Sequence, residues 1–211
     1  ILLTDGYIAN GAEPWLIPLV KSLPDILAKF RTDPNGFFPY MRDEITLARP
    51  WAIPGTPGLE HRIGGLEKEN ITGNVSYDAE NHELMVKIRQ EKVDRIANYI
   101  PLAKVEGDDK GDLLVVGWGG TYGAIKTAVE EKRRQGKSVS HLHLKYVYPF
   151  QKNIEDILKN FKKILVPELN LGQLALLLQA KYLIPVIKLN KVQGLPFRAI
   201  EIEQKIDEIL K

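Results

Sequence analysis

The sequence predicts a three-layer α/β/α domain with a mostly parallel sheet, preceded by an irregular proline-rich arm and a linking helix. Three observations support this fold class. Strand and helix patterns alternate from residue 112 to residue 211, eight of the thirteen prolines lie in residues 1–57, and a charged helical pattern separates the two regions. We therefore divide the chain into residues 1–80, 81–111 and 112–211.

The composition is that of a globular protein and excludes several classes. Hydrophobic residues make up 44%, charged residues 27%, and the net charge is +2 with both signs interspersed. No basic stripe indicates nucleic acid, and no apolar run approaches the roughly 18 residues of a membrane span. The chain has no cysteine, which excludes disulfides, thiolate catalysis and an iron–sulfur cluster ligated by this chain. We expect a cytoplasmic protein without a metal site of its own.

The first 57 residues predict an ordered but irregular arm, because proline removes a backbone donor and biases its predecessor toward extended conformations. One short helix is expected around "LPDILAKF", with Pro24 in its first turn and Ile26, Leu27 and Phe30 on one face. The apolar opening "ILLTDG" reads as a strand with missing neighbours, so we expect a C-terminal piece of a larger protein. The part of the arm from Thr32 to Gly58 carries four large aromatic residues: Phe37, Phe38, Tyr40 and Trp51.

A helix is predicted from Asn81 to the residue before Pro101. Asn81 is a candidate N-cap, Glu83 lies in the first turn, and apolar residues recur at positions 85, 88, 96 and 99. The other faces are densely charged. This pattern favours a solvated helix that connects two parts of the protein.

The final hundred residues predict four strands, each followed by a helix. The strands are "DLLVVGW", "SVSHLHLKYV", "KILVPE" and "PVIKLN". The helices are "TYGAIKTAVEEKRRQ", "NIEDILKNF" with Asn153 as its cap, "GQLALLLQAKYL", and "AIEIEQKIDEILK" with Ile202, Ile206, Ile209 and Leu210 on one stripe. The third helix is apolar nearly all round, which predicts burial on most faces. Such alternation is typical of crossover units on a parallel sheet.

The stretch "GWGGTYG" follows the first of these strands and resembles part of a dinucleotide-binding turn. The full fingerprint requires glycine where Tyr122 stands and an acid at the end of the second strand, and both are missing. A turn packed against another subunit is the favoured interpretation. The alternative is an autonomous nucleotide-binding module that uses Gly117–Gly123, with an anion held at Gly117, Gly119, Gly120 and Thr121.

Two further pairs of polar residues are candidates for ligand binding. His141 and His143 share one face of a strand and can supply two zinc ligands, but no third ligand is near in sequence, which favours structural packing. Glu168 and Asn170 follow a strand at its carboxyl end, where α/β sheets bind ligands. Helix capping explains this second pair equally well.

Long strings of the sequence resemble one family. "TDGYIANGAEPW", "RPWAIPGTPGLEHRIGGLEKENITGNVSYD", "GDLLVVGWGGTYGAI", "VPELNLGQLALLL" and "NKVQGLPF" are similar to the C-terminal part of the α subunit of 2-oxoacid:ferredoxin oxidoreductases. Among these, the 2-oxoglutarate enzymes are the most similar. The resemblance extends over essentially the whole chain.

The resemblance implies an enzyme that decarboxylates 2-oxoglutarate on thiamine diphosphate, reduces ferredoxin through an iron–sulfur cluster and forms succinyl-coenzyme A. It implies that Ile1–Trp15 end a pyrimidine-binding domain and that residues 112–211 form a transketolase C-terminal-like domain with one antiparallel edge strand. Thiamine diphosphate, magnesium and the cluster then lie outside this chain, which binds no cofactor and carries no catalytic residue. The fragment alone is expected to be inactive and chiefly structural. Whether pyruvate, 2-oxoglutarate or a branched acid is used stays open.

The implied partners are the β subunit, a second α subunit, and ferredoxin and coenzyme A through the full complex. In the family, the segment corresponding to the polar loop 58–82 lies toward subunit contacts and the active-site entrance. Glu60, His61 and Arg62 are therefore candidates to face substrate or coenzyme A, and contact with the β subunit is the alternative. The isolated fragment is expected to be a homodimer at micromolar concentration with its arm at the interface.

Overall fold

A computed structural model of the chain describes residues 10–12, 16–25 and 28–211. The described residues form two compact units, the second of which is Ala97–Lys211. The predicted strand Ile1–Leu3 lies outside the described residues, and so do Ile26 and Leu27 of the predicted short helix. The described part of that stretch is not helical: Phe30, the third residue of the predicted face, forms an isolated bridge with Trp51.

The second unit is a five-stranded sheet with helices on both faces. Its strands are β1 (Val105–Glu106), β2 (Gly111–Trp118), β3 (Val139–Leu144), β4 (Phe161–Glu168) and β5 (Ile187–Asn190). Including the one long helix of the first unit, the helices are α1 (Ala79–Asp94), α2 (Tyr122–Arg134), α3 (Ile154–Lys159), α4 (Gln173–Tyr182) and α5 (Ala199–Ile209). The strand order is β1-β3-β2-β4-β5.

The sheet is parallel except at one edge, where β1 pairs antiparallel with β3. Successive side chains of β2 point to opposite faces. Leu114 and Val116 belong to the core on one face, and Leu113 and Val115 to the core on the other. This double burial confirms the predicted three-layer α/β/α domain and its antiparallel edge strand.

The two cores contain the apolar stripes of different helices. One contains Ile154 and Leu158 of α3 together with Leu174 and Leu178 of α4. The other contains residues of α2 and α5, namely Ile125, Ala128, Val129, Ile202, Ile206 and Ile209. The stripe predicted on the last helix is therefore its buried face.

Helix α4 differs from its prediction. Leu174, Ala175 and Leu178 are buried, but Leu176 and Leu177 are 62% and 49% exposed. Only one face of this helix packs on the sheet, so uniform apolarity does not mean uniform burial here. The exposed leucines form an apolar surface on the second unit.

Asn153 stands at the predicted N-cap position of α3, but its side chain does not cap the helix. Its amide accepts a hydrogen bond from Ala103 N and donates one to Ala103 O, both at 2.9 Å. The Asn153 side chain, which the local sequence predicted to cap the helix, thus bonds to a residue fifty positions away in the sequence.

In the first unit, the described part of the arm is irregular, as predicted. Its pairings are single bridges, such as the parallel bridge from Phe30 to Trp51 and the antiparallel bridge from Tyr40 to Ile71. The polar loop is ordered by an inner hydrogen-bond pattern that includes an antiparallel bridge between Lys68 and Val75.

Helix α1 begins three residues earlier than the sequence predicted. Asp78 is its N-cap, and its carboxylate accepts from Asn81 N at 2.7 Å. The Asn81 side chain instead accepts from Asn70 N and donates to Lys68 O. The residue predicted as the cap therefore attaches the polar loop to the helix.

Replacing Asp78 with alanine should lower the free energy of unfolding of the first unit by about 1 kcal/mol, because the first turn loses its capping acceptor. Urea denaturation measures the change. Asp78→Asn keeps an acceptor and should stay close to the wild type. Equal losses in both variants would contradict a capping role.

Among the described residues, the helices include none with the length and apolarity needed to cross a membrane.

Candidate functional site

The carboxyl ends of β2 and β4 meet at Glu168, whose side chain is completely buried. Its Oε1 accepts from Leu174 N at 2.9 Å, from Asn170 Nδ2 at 3.1 Å and from Trp118 Nε1 at 3.3 Å. Its Oε2 accepts from Ala175 N at 3.0 Å. Four donors thus surround a single carboxylate.

Glu168 acts as the N-terminal cap of α4. Two of its donors are backbone amides of the first helical turn, which lack intrahelical partners and carry the positive end of the helix dipole. Asn170 Oδ1 accepts from Gly172 N and Gln173 N. Of the two roles considered for Glu168 and Asn170, the structure shows helix capping.

The glycine turn between β2 and α2 is built for close packing. A Cβ at Gly117 would lie 2.4 Å from Ile125 Cδ1 and 2.9 Å from Thr121 Oγ1, so these side chains would have to shift to admit it. Trp118 N donates to Thr121 Oγ1, and Thr121 Oγ1 donates to Trp118 O. Gly119 and Gly120 are exposed on a 3-10 turn.

These contacts account for Gly117 and Thr121 without a nucleotide. Two surface clefts, of about 610 and 670 Å³, are lined by other residues. The autonomous nucleotide-binding module considered for this turn thus has no support from its geometry.

His141 and His143 lie side by side under Tyr122, with ring centroids 5.5 and 5.0 Å from the tyrosine ring. His141 is 1% exposed, and neither of its ring nitrogens has a hydrogen-bond partner among the described residues. Burial lowers the pKa of His141 to about 4, against a smaller opposing effect of Glu106. Burial also lowers the pKa of His143.

No cluster of three or more His, Cys, Asp or Glu side chains suited to a metal ion occurs in the part of the chain that the structure describes. The pair at His141 and His143 therefore has no third ligand in that part, and packing against Tyr122 is what the structure shows.

The candidate residues of the polar loop lie on its surface. Glu60 and Arg62 are exposed, and His61 is half-buried. His61 Nδ1 is bonded to Leu59 O at 2.8 Å, and its ring meets the edge of Phe37 at 5.5 Å. None of the three candidates lines the 670 Å³ cleft formed by the same unit.

That cleft, here called the basic cleft, brings together cationic side chains from three stretches of the first unit. Its cations are Arg42, Arg49, Lys68, Arg89 and Lys92, and its one carboxylate is Glu67. With His82 neutral, the charge of the lining is +4, from five cations and one anion.

The single carboxylate of the basic cleft is already bonded. Arg89 Nη1 lies 3.2 Å from Glu67 Oε1, and His82 Nδ1 lies 2.7 Å from Oε2. These hydrogen bonds, that of Arg89 first, lower the pKa of Glu67. Burial, followed by repulsion from Arg49, lowers the pKa of Arg42.

Sequence reasoning missed this cleft. Its cations come from residues 42–92 and are separated by up to fifty positions, so no local pattern groups them. The available signal was Arg89 and Lys92, three residues apart on α1 and thus on one face of the helix.

The fold and these sites define a mostly parallel α/β protein. At the carboxyl ends of its strands Glu168 caps a helix, and its first unit carries a basic cleft. Residues 111–204 match the family described as pyruvate:ferredoxin oxidoreductase core domain II. The chain is 52% identical over 204 residues to the 2-oxoglutarate oxidoreductase subunit KorA of Mycobacterium tuberculosis, covering 96% of this chain and 31% of that protein.

Other relatives agree. The 2-oxoglutarate synthase subunit KorA of Methanocaldococcus jannaschii is 30% identical over 163 residues, which are 73% of this chain and 43% of that protein. The solved 2-oxoglutarate:ferredoxin oxidoreductase of Magnetococcus marinus, with 2-oxoglutarate, coenzyme A and succinyl-CoA bound, superposes with a TM-score of 0.84 at 28% identity. That superposition covers 92% of this chain and 34% of the other.

The chain belongs to the family of 2-oxoacid:ferredoxin oxidoreductase α subunits. It spans about a third of the length of the mycobacterial relative. The family expected from the sequence is thereby confirmed, and the comparisons do not support a separate nucleotide-binding module.

The residues of this chain do not fit the iron–sulfur cluster that the family implies. A thiolate-ligated iron–sulfur cluster needs cysteines, and the chain has none. No chemical step is therefore assigned to these residues.

Proposed function

We propose that the chain is part of the α subunit of a 2-oxoglutarate:ferredoxin oxidoreductase, in which it has a structural and subunit-interface role. The complete enzyme would form succinyl-coenzyme A with thiamine diphosphate, magnesium and an iron–sulfur cluster held outside this chain. The observation that carries the proposal is the 52% identity to the mycobacterial subunit over nearly the whole chain.

The exposed apolar side chains support an interface role. On the second unit, the most exposed large apolar side chains around α4 are Leu171, Leu176, Leu177 and Leu183. On the first unit, Leu16, Ile17, Leu19 and Val20 are exposed by three quarters or more. Exposed apolar side chains that adjoin one another, as Leu176 and Leu177 do along the chain, are typical of protein contacts.

The exposure of Glu60 and Arg62 supports their availability to substrate, coenzyme A or a partner subunit. Contact of Glu60, His61 and Arg62 with substrate, coenzyme A or a partner subunit remains a proposal. An anion at the Gly117, Gly119, Gly120 and Thr121 turn is likewise a prediction, which the exposure of Gly119 and Gly120 permits.

The test of function uses the enzyme that contains this chain, purified with its β subunit. Ferredoxin reduction is measured with coenzyme A and, in turn, 2-oxoglutarate, pyruvate or a branched-chain 2-oxoacid. We expect the highest kcat/KM with 2-oxoglutarate. A preference for pyruvate would refute the substrate assignment, and tight binding of a nicotinamide dinucleotide by the isolated chain would restore the rejected alternative.

Replacing Leu176 and Leu177 together by serine should weaken subunit association at least about tenfold, because each buried leucine contributes about 1.5–3 kcal/mol of transfer free energy. Analytical ultracentrifugation of the purified complex measures the dissociation. Ala180→Ser, at an exposed position of the same helix, is the matched control. Unchanged association of the leucine variant would place the interface elsewhere.

A further inference from the structure

The basic cleft has more cationic charge than its own side chains neutralise. Arg42, Arg49 and Lys92 have no carboxylate partner among the described residues, and Glu67 is bonded to Arg89 and His82. Like charges confined near a protein surface repel one another unless a counter-charge joins them. The basic cleft therefore has room for a bound anion that would balance these cations.

Lys68 adds a buried cation to this cleft. Its side chain is 2% exposed, and its ammonium donates to two carbonyl oxygens, Gly64 O and Leu66 O. No carboxylate among the described residues forms an ion pair with it. A buried charge without a counter-charge is costly, and an ammonium has three donors, of which two are used here.

The arginines offer donors in fixed directions. Arg49 stacks on the Tyr40 ring with its guanidinium carbon 3.9 Å from the centroid, and its Nε donates to Pro39 O. Arg42 Nη1 donates to Tyr40 O and Asn70 Oδ1, which positions the side chain. The terminal nitrogens of Arg49 form no hydrogen bond or ion pair with the described residues, so its N–H groups can bind a ligand.

We propose that the basic cleft binds the diphosphate group of a small phosphorylated ligand. Its volume of about 670 Å³ lies within the roughly 300–1,000 Å³ of small-molecule sites. Five cations exceed what a monophosphate needs, and guanidinium forks match phosphate oxygens bidentately. The ligand is either inorganic pyrophosphate or a nucleoside diphosphate, which share this chemistry. This inference goes beyond the proposed function and does not depend on it.

Isothermal titration calorimetry of the purified protein with pyrophosphate, ADP, AMP and sulfate tests the proposal without any turnover. We expect saturable binding of pyrophosphate or ADP with a Kd of about 100 µM or tighter, and weaker binding of AMP and sulfate. Tighter binding of ADP than of pyrophosphate would identify the nucleotide as the source of the phosphates, and the reverse order would identify the inorganic ion.

Lys92→Gln should weaken this binding about tenfold, since it removes one cation that forms no ion pair with the residues the structure describes. The matched control is Lys87→Gln, on the same helix, where the lysine pairs with Glu83 and does not line the cleft. Equal losses in the two variants, sulfate binding as tight as pyrophosphate, or no saturable binding would overturn the proposal. A polyglutamate peptide that binds the cleft more tightly than pyrophosphate would also overturn it, by assigning the cleft to a protein partner.

Discussion

Replacing Glu168 with alanine is expected to lower the free energy of unfolding of the second unit by about 3 kcal/mol. The change leaves the amides of Leu174 and Ala175 without their acceptor at the start of α4, and also removes the acceptor of Trp118 Nε1. Buried donors without partners bear their full desolvation penalty. Urea denaturation followed by far-ultraviolet circular dichroism measures the loss.

Two further variants separate capping from a general effect of removing an acid. Glu168→Gln keeps one acceptor oxygen, so its free energy of unfolding should fall less than that of Glu168→Ala. Some loss is expected, because its amide nitrogen would face a backbone donor. Glu155→Gln removes an exposed acid paired with Lys159 on α3 and should change stability by less than about 0.5 kcal/mol. A stability of Glu168→Ala equal to that of the wild type would disprove the capping role.

The stability of the second unit should fall as the pH drops from about 6.5 toward 4, because His141 is neutral in the fold. The folded pKa of His141 is about 4, below its ordinary value of 6.5. Between these values the unfolded chain binds a proton that the folded chain does not, so acid favours unfolding. The stabilisation is complete above pH 6.5, and a difference of this size corresponds to roughly 3 kcal/mol.

His141→Phe should flatten this part of the pH profile, since the variant has no imidazole to protonate. His141→Gln tests the same point with a polar side chain, in case the phenyl ring does not fit beside Tyr122 and His143. Urea midpoints between pH 4 and pH 8 give the profile. If both variants keep the wild-type slope, the pH dependence arises from other groups.

The sequence predicted the second unit well because its elements are defined by period and burial. The strand ends differ by a few residues, as at "SVSHLHLKYV", where β3 is Val139–Leu144. The predictions that differ from the structure concern tertiary contacts. The Asn153 side chain bonds to Ala103 and does not cap α3, and α4 has only one face on the sheet. Such contacts depend on residues far away in sequence, which a local pattern does not contain.

The sites were less predictable than the fold. Glu168 was identified as a candidate because it follows a strand, but two roles fitted that position equally well. Only the donors from Trp118 and α4 distinguish them. The basic cleft was not predicted, because Arg42 and Lys92 become neighbours only when the arm, the loop and α1 fold together.

The two edges of the sheet determine how the second unit can associate. The short antiparallel β1 covers the β3 edge at Leu142 and His141. At the opposite edge, β5 is four residues long and exposes Lys188. Short strands and an edge lysine are features by which proteins prevent intermolecular β-pairing. Continuation of the backbone ladder into another chain is therefore disfavoured. The proposed contact with a neighbouring subunit would then depend on exposed side chains such as Leu176 and Leu177.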